Sequence, residues 1–362
     1  MADIDRYFRR MVEIGASDLH ISPGNPPKLR KSGELHPIEG EPILNDEINR
    51  KLLYEIMNEE QIKQFEETCD VDFAYAIEDI GSRFRCNIFK ERKAIGAVFR
   101  LIPTKIKTVE ELGIPESVLI FAKLNKGLVV VTGATGSGKS TTLAAIIDYI
   151  NKNYSKHIIT IEDPIEFVHT SQKCLITQRE VGHHSNSFST ALKASLREDP
   201  DVILVGEMRD LETIELAITA AETGQLVFGT LHTNSAAKTV DRIINVFPVD
   251  AQEQIRAMLS ESLKGVVAQQ LLKNVEGGRN AALEILIATP GVSNLIREGK
   301  THQIPSVIQT SKKDGMQSMD QAIMECLKAK KITPEEAASK AFDKRTFEPF
   351  LKETPQAAPA SN

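Results

Sequence analysis

Two hydrophobic patterns divide the chain. Through the first hundred or so residues, apolar positions recur at helical spacing or alternate with polar ones, whereas from Leu128 onward they come in short unbroken runs. Ile4, Tyr7, Phe8, Met11 and Val12 recur every three or four residues, which predicts an amphipathic helix ended by Gly15. A strand is expected at 17–21, an irregular turn at 23–27, and a hairpin in which residues 28–30 and 35–38 flank Ser32 and Gly33. Helices follow at 46–57, with Ile48, Leu52, Leu53 and Ile56 on one face, and at 59–67. Val71, Phe73, Tyr75 and Ile77, then Phe84, Cys86 and Ile88, then Ile95, Ala97, Phe99 and Leu101 define three strands by alternation. Such a sheet buries one face, and Arg83 and Arg85 share a face, read by default as its solvated outer side.

Pro and Gly interrupt the pattern over 103–115, the expected linker. Beyond it the apolar runs 128–131, 158–161, 202–205 and 226–228 are those of parallel strands covered on both faces. Helical segments at 141–151, 189–197 and 211–222 lie between them, so an α/β fold with a parallel central sheet is predicted, with its ligand at the carboxyl ends of the strands. Ala236, Val240, Ile243, Ile244 and Phe247 form one helical stripe; Ile255, Met258, Leu259, Leu263, Val266 and Val267 form another. A short strand at 282–288 and helices near 292–298, 316–328 and 334–342 complete the expectation. The small, polar, Pro-rich tail 354–362 is expected to be disordered. The layout is thus an α+β domain over 1–102, the linker, and an α/β domain over 116–353.

At the end of the first apolar run stand Gly133, Ala134, Thr135, Gly136, Ser137, Gly138, Lys139, Ser140 and Thr141. The stretch matches G-x-x-x-x-G-K-[ST] between a strand and a helix, where such a loop cradles phosphates with its backbone amides. Lys139 would reach the β/γ-phosphates, and Ser140 would offer its hydroxyl to Mg²⁺. Glu162, Asp163 and Glu166 follow the second core run, and Glu207 follows the third. Hydrolysis of a nucleotide needs a held metal and an oriented water, which strand-end carboxylates can serve. Glu207 is assigned to the metal, and either Glu166 or Glu162 to the water. His232 ends a further strand and reads either as a donor to a γ-phosphate or as a structural histidine. Arg197 and Arg209 read as phosphate sensors or as ion-pair members. His20 and the pair His183–His184 carry no ligand spacing.

Composition narrows this little. The 362 residues suit two domains, and 41% hydrophobic with 26% charged residues is ordinary globular usage. The net charge of −6 lacks the basic excess of a duplex-binding surface, so nucleic acid is not an expected partner. Cys69, Cys86, Cys174 and Cys326 form no C-x-x-C pair, which favours a reducing cytoplasm. The acidic beginning has no signal-peptide core, and no apolar run reaches membrane-spanning length.

The phosphate loop, the acidic box at 161–166, the segment 201–210 around Glu207 and the histidine box at 229–234 occur in the order seen in secretion-superfamily ATPases. Ala16, Ser17, Asp18, Leu19, His20 and Ile21 also resemble the N-terminal segment of those proteins. From about Ile4 to about Phe350 the chain resembles the PilT family of type IV pilus retraction ATPases. The resemblance implies a PAS-like N-terminal domain, a RecA-like ATPase domain, a homohexamer working with ATP and Mg²⁺, and docking at an inner-membrane pilus platform protein. It also implies that Arg83, Arg85 and Arg100 reach the nucleotide from the N-terminal domain. The family segment Ala-Ile-Arg-Asn-Leu-Ile-Arg-Glu reads here Gly291, Val292, Ser293, Asn294, Leu295, Ile296, Arg297, Glu298. The alternatives are a pilus-extension or type II secretion ATPase, a nucleotide-gated assembly factor without hydrolysis, and a nucleic-acid translocase.

Overall fold

The computed structural model describes residues 2–352 except 32, 93 and 103–105. The expected tail and the first residues of the expected linker lie outside the described residues. The chain divides into two compact units: one runs up to Lys105 and includes Glu166–Val168, and the other comprises Ile106–Ile165 and the chain from His169.

The first unit contains α1 (Asp5–Ile14), β1 (Asp18–Ile21), β2 (Lys28–Lys31), β3 (Glu34–Pro37), α2 (Asp46–Tyr54), α3 (Glu59–Thr68), β4 (Asp70–Ile77), β5 (Ser82–Lys90) and β6 (Ile95–Ile102). Its strands pair antiparallel in the order β3-β2-β1-β6-β5-β4. The predicted apolar stripe of α1 is what packs the sheet. Phe8 stacks on Phe84 at 4.3 Å between ring centroids and meets Phe99 edge-on at 5.0 Å. Gly15 ends the helix in the left-handed region at φ 67°, its N–H donating to the carbonyls of Met11 and Val12. On β5, Phe84, Cys86 and Ile88 are buried while Arg83, Arg85 and Asn87 lie on the other face. One expected core position differs. Ile48 is exposed, and the neighbouring Asn49 is buried instead, where its Nδ2 donates to the Ile95 carbonyl at 2.8 Å. The donor end of the amide is thus paired inside while Oδ1 has no partner among the described residues, and the helical face turns by one residue from the purely apolar prediction.

The second unit contains α4 (Glu116–Ala122), β7 (Gly127–Thr132), α5 (Lys139–Asn153), β8 (His157–Glu162), β9 (Leu175–Glu180), α6 (Phe188–Ser195), β10 (Val202–Val205), α7 (Leu211–Thr223) and β11 (Leu226–Leu231). It continues through α8 (Ala236–Asn245), α9 (Gln252–Ser262), β12 (Leu263–Lys273), β13 (Arg279–Ile287), α10 (Pro290–Arg297), α11 (Ile304–Thr310), α12 (Met319–Lys328), α13 (Pro334–Lys340) and α14 (Glu348–Lys352). The seven strands run β13-β12-β7-β11-β10-β8-β9, all parallel except β13. The unbroken apolar runs are buried on both faces, as their pattern requires: every residue of β7, β10 and β11 is buried.

The largest correction concerns residues 263–273. Leu263, Val266 and Val267 extend the spacing of α9, but the helix stops at Ser262 and the chain enters β12. Val266 pairs with Val130 and Val267 with Val131 on one side, while Leu286 and Ile285 flank them on the other. A chain enclosed between two strands has its backbone polar groups satisfied by ladders, and this overrides a short helical spacing. Gly265 marks the fit, since a Cβ there would stand 2.1 Å from the Phe121 ring. The strand β9 was also absent from the sequence expectation; its half-exposed Ile176, Thr177, Gln178 and Arg179 give little apolar signal.

Candidate active site

β7 delivers the chain at Thr132 into the glycine loop, and Lys139 opens α5. Gly133, Gly136 and Gly138 have φ of 149°, 76° and 88°, conformations that L side chains rarely adopt. Two of these positions are also enclosed. A Cβ on Gly133 would lie 2.4 Å from the Gln269 carbonyl oxygen, and one on Gly138 would lie 2.8 Å from Gln269 Nε2. Gly136 instead faces open space. Lys139 is buried, and its Nζ donates to the carbonyls of Gly133 at 2.9 Å and Ala134 at 3.1 Å. The ammonium is therefore held against the loop, beside the open amides of the α5 N-terminus. Ser137 Oγ is buried with no partner among the described residues, and Ser140 and Thr141 lie in the first turn of α5. A buried cation, orphan donors and a gap above Gly136 fit a polyphosphate.

The strand-end carboxylates gather on the same edge of the sheet. Glu162 ends β8, and Glu207 follows β10 through Gly206, where a Cβ would lie only 3.2 Å from Glu162 Cα. Glu162 Oε1 accepts from Thr160 Oγ1 at 2.6 Å and Gln178 Nε2 at 3.3 Å. Glu207 Oε1 lies 2.5 Å from Arg209 Nε and 3.0 Å from His232 Nε2. Burial by itself pushes the Glu207 carboxyl up. The hydrogen bonds and charges of Arg209 and His232 outweigh that effect and hold it below its ordinary value. The Arg209 guanidinium is pushed up by the same bond. Of the two readings open for each, both Arg209 and His232 are seen here as partners of Glu207, whereas Arg197 is exposed and in no ion pair among the described residues.

Glu166 is exposed and counts with the first unit. In that unit Arg85 is in register with Arg100 across β5 and β6; Arg85 pairs with Asp72 at 3.7 Å and Arg100 with Asp18 at 2.9 Å. His20 is partly buried in β1, its imidazole pushed down by burial. His184 Nδ1 accepts from the Glu180 N–H at 2.9 Å, so the His183–His184 stretch is a structural turn.

Sequence reasoning missed four side chains that shape the site. Glu180 Oε2 accepts from the Ile165 N–H at 3.0 Å within the acidic box, and Gln178 holds Glu162. Thr132 Oγ1 accepts from the Thr233 N–H at 2.9 Å, joining the strand before the glycine loop to the segment that carries His232. Gln269 is the fourth. It borders a cavity of about 600 Å³ next to Gly138 and Thr141, with Leu271, Asn280 and Leu283 on its wall. Asn280 Nδ2 is buried without a partner among the described residues. A half-apolar hollow of this size with a free donor beside a phosphate loop suits a nucleoside. A second hollow of about 500 Å³, lined by Arg50, Tyr54 and Lys90 on the first unit, contains none of the predicted site residues.

Residues 1–337 match the model of the Type II/IV secretion system protein family. The chain belongs to that family. It is 52% identical over 339 residues to the type IV pilus retraction ATPase PilT of Pseudomonas aeruginosa, covering 94% of this chain and 98% of that one. It is 52% identical over 316 residues to a twitching motility protein of Neisseria gonorrhoeae, covering 87% and 84%. A crystal structure of the pilus retraction motor PilT with bound ADP superposes with a TM-score of 0.89 at 45% identity, covering 96% of this chain and 98% of that chain. Among the described residues no helix is long and apolar enough to cross a membrane, and no group of three or more His, Cys, Asp or Glu could hold a metal ion.

Proposed function

We propose that this chain is an ATP-hydrolysing motor that drives retraction of type IV pili and so twitching motility. The observation that carries the reading is the glycine loop with its buried Lys139, set on the same sheet edge as Glu162, Glu207 and His232. The whole-length likeness to PilT supplies the biological direction. The loop amides and Lys139 hold the β/γ-phosphates, and the cavity bordered by Asn280 and Leu271 receives the nucleoside. Ser140 and Glu207 would hold Mg²⁺. That ion fits the donor set, a hydroxyl and a carboxylate, because it takes hard oxygen ligands and needs only one or two from the protein besides phosphate and water. When bound, the metal supplies charge neutralisation at the transferring phosphoryl group.

Glu162, fixed by Thr160 and Gln178, and Glu166 are the two candidates for orienting the attacking water. His232 positions Glu207 now and is available to a γ-phosphate. The nucleotide role of Arg83, Arg85 and Arg100 belongs to the same proposal and is supported by the resemblance. The proposal extends to a homohexamer in the cytoplasm docked on an inner-membrane pilus platform protein. Deletion of the gene in the source organism tests the direction of work. Excess surface pili with lost motility is the expected outcome; loss of pili would make the chain an extension motor instead.

A further inference from the structure

Gln269 lies on β12, in the region whose strand character the sequence concealed, more than a hundred residues from the phosphate loop. Its side chain is 3% exposed and uses both ends of its amide. Nε2 donates to the Ser137 carbonyl at 2.8 Å, and Oε1 accepts from Thr142 Oγ1 at 2.8 Å. The Gln269 carbonyl oxygen, in turn, is the atom that a Cβ on Gly133 would strike. One residue thus touches the first glycine of the loop, the peptide before its last glycine, and the first turn of α5.

The bond to Ser137 has a geometric consequence. In a planar trans peptide the C=O and the following N–H point in opposite directions. Holding the Ser137 carbonyl toward β12 therefore aims the Gly138 N–H away from β12. The left-handed φ of Gly138 is compatible with this plane, and Gln269 Nε2 occupies the space that any larger residue at 138 would need. The bond to Thr142 fixes the beginning of α5 relative to that same peptide. A loop without this bracing would have to order the peptide on binding, and that ordering costs affinity.

We infer that Gln269 is a positioning residue for phosphate recognition: it presets the Ser137–Gly138 peptide so that the Gly138 N–H is already turned to the nucleotide's phosphates. The inference rests on the nucleotide reading above. Because the bracing acts alike on bound substrate and transition state, its loss raises KM and leaves kcat nearly unchanged.

The test uses the full chain with ADP as the binding probe and steady-state phosphate release as the kinetic one. Gln269→Met keeps the length and apolar stem but removes both bonds. Gln269→Leu also removes both bonds, with a branched apolar side chain that adds no charge. Both variants are expected to weaken ADP binding and raise KM by about tenfold or more, with kcat within about twofold of wild type. Thr142→Val, which leaves the Ser137 bond in place, is expected to change ADP affinity by less than about threefold. Should Gln269→Met fail to fold, Gln269→Leu decides by the same measurements. A folded Gln269 variant that binds ADP like wild type overturns the inference, as does one whose melting temperature falls while KM stays put. A wild-type chain that binds no ADP overturns the nucleotide reading itself.

Discussion

His232 Nε2 lies 3.0 Å from Glu207 Oε1, so the ends of two adjacent parallel strands are joined through the same carboxylate that Arg209 also grips. Removal of the imidazole leaves Glu207 with one cationic partner. His232→Ala is expected to lower kcat by about 10-fold to 100-fold while the chain stays folded, checked by phosphate release at saturating ATP. Glu207→Gln removes the charge that both partners face, and it is expected to lower kcat at least as much.

Acid stability follows from Glu207 with a definite sign. Its carboxyl sits below the ordinary value of 4.5, so the charged form is favoured more in the folded chain than in the unfolded one. The resulting stability is complete above that ordinary value and is lost as pH falls through the lower folded value. Urea midpoints of wild type should therefore fall over that acidic window, and those of Glu207→Gln should fall less.

His169 gives a second window on the same axis. Burial pushes its imidazole from 6.5 down to about 4, against a smaller opposing effect of the Asp148 carboxylate. Between those values the unfolded chain takes up a proton that the folded chain refuses, so stability declines as pH falls from about 6.5 to about 4, by up to about 3 kcal/mol. His169→Phe is expected to remove most of that decline, measured as the difference in urea midpoint between pH 7 and pH 4.5.

Gly133→Ala tests the loop from its other side. The new Cβ would meet the Gln269 carbonyl at 2.4 Å and Ser137 Oγ at 2.5 Å, at a φ of 149° that disfavours any side chain. ADP binding is expected to weaken by at least about tenfold, checked by calorimetric titration, and the melting temperature is expected to fall.

The sequence made the outline legible where one pattern had one meaning. Unbroken apolar runs at 128–131, 158–161, 202–205 and 226–228 became four neighbouring parallel strands, because only a doubly covered strand tolerates apolar side chains on both faces. The phosphate loop was legible because its chemistry demands fixed residue types at fixed spacing. Leu263, Val266 and Val267 misled because three apolar residues fit a helix and a buried strand equally well; Gly265 and the turn residues Glu276, Gly277 and Gly278 are the signals that favour a hairpin. That error hid Gln269, whose contact with Ser137 spans a sequence separation of 132 residues. Glu180 and Thr132 were hidden for a different reason: each acts through a backbone group of a distant segment, and no motif marks such a partner.

Turnover of ATP at the Lys139 loop is the property on which every role proposed above depends. Steady-state phosphate release from purified wild type and Lys139→Ala, in the presence of Mg²⁺, measures this directly. Wild type is expected to release phosphate continuously, and the variant to do so at least about 100-fold more slowly. Equal rates in the two proteins, or a wild type that binds ATP without releasing phosphate, would contradict the account.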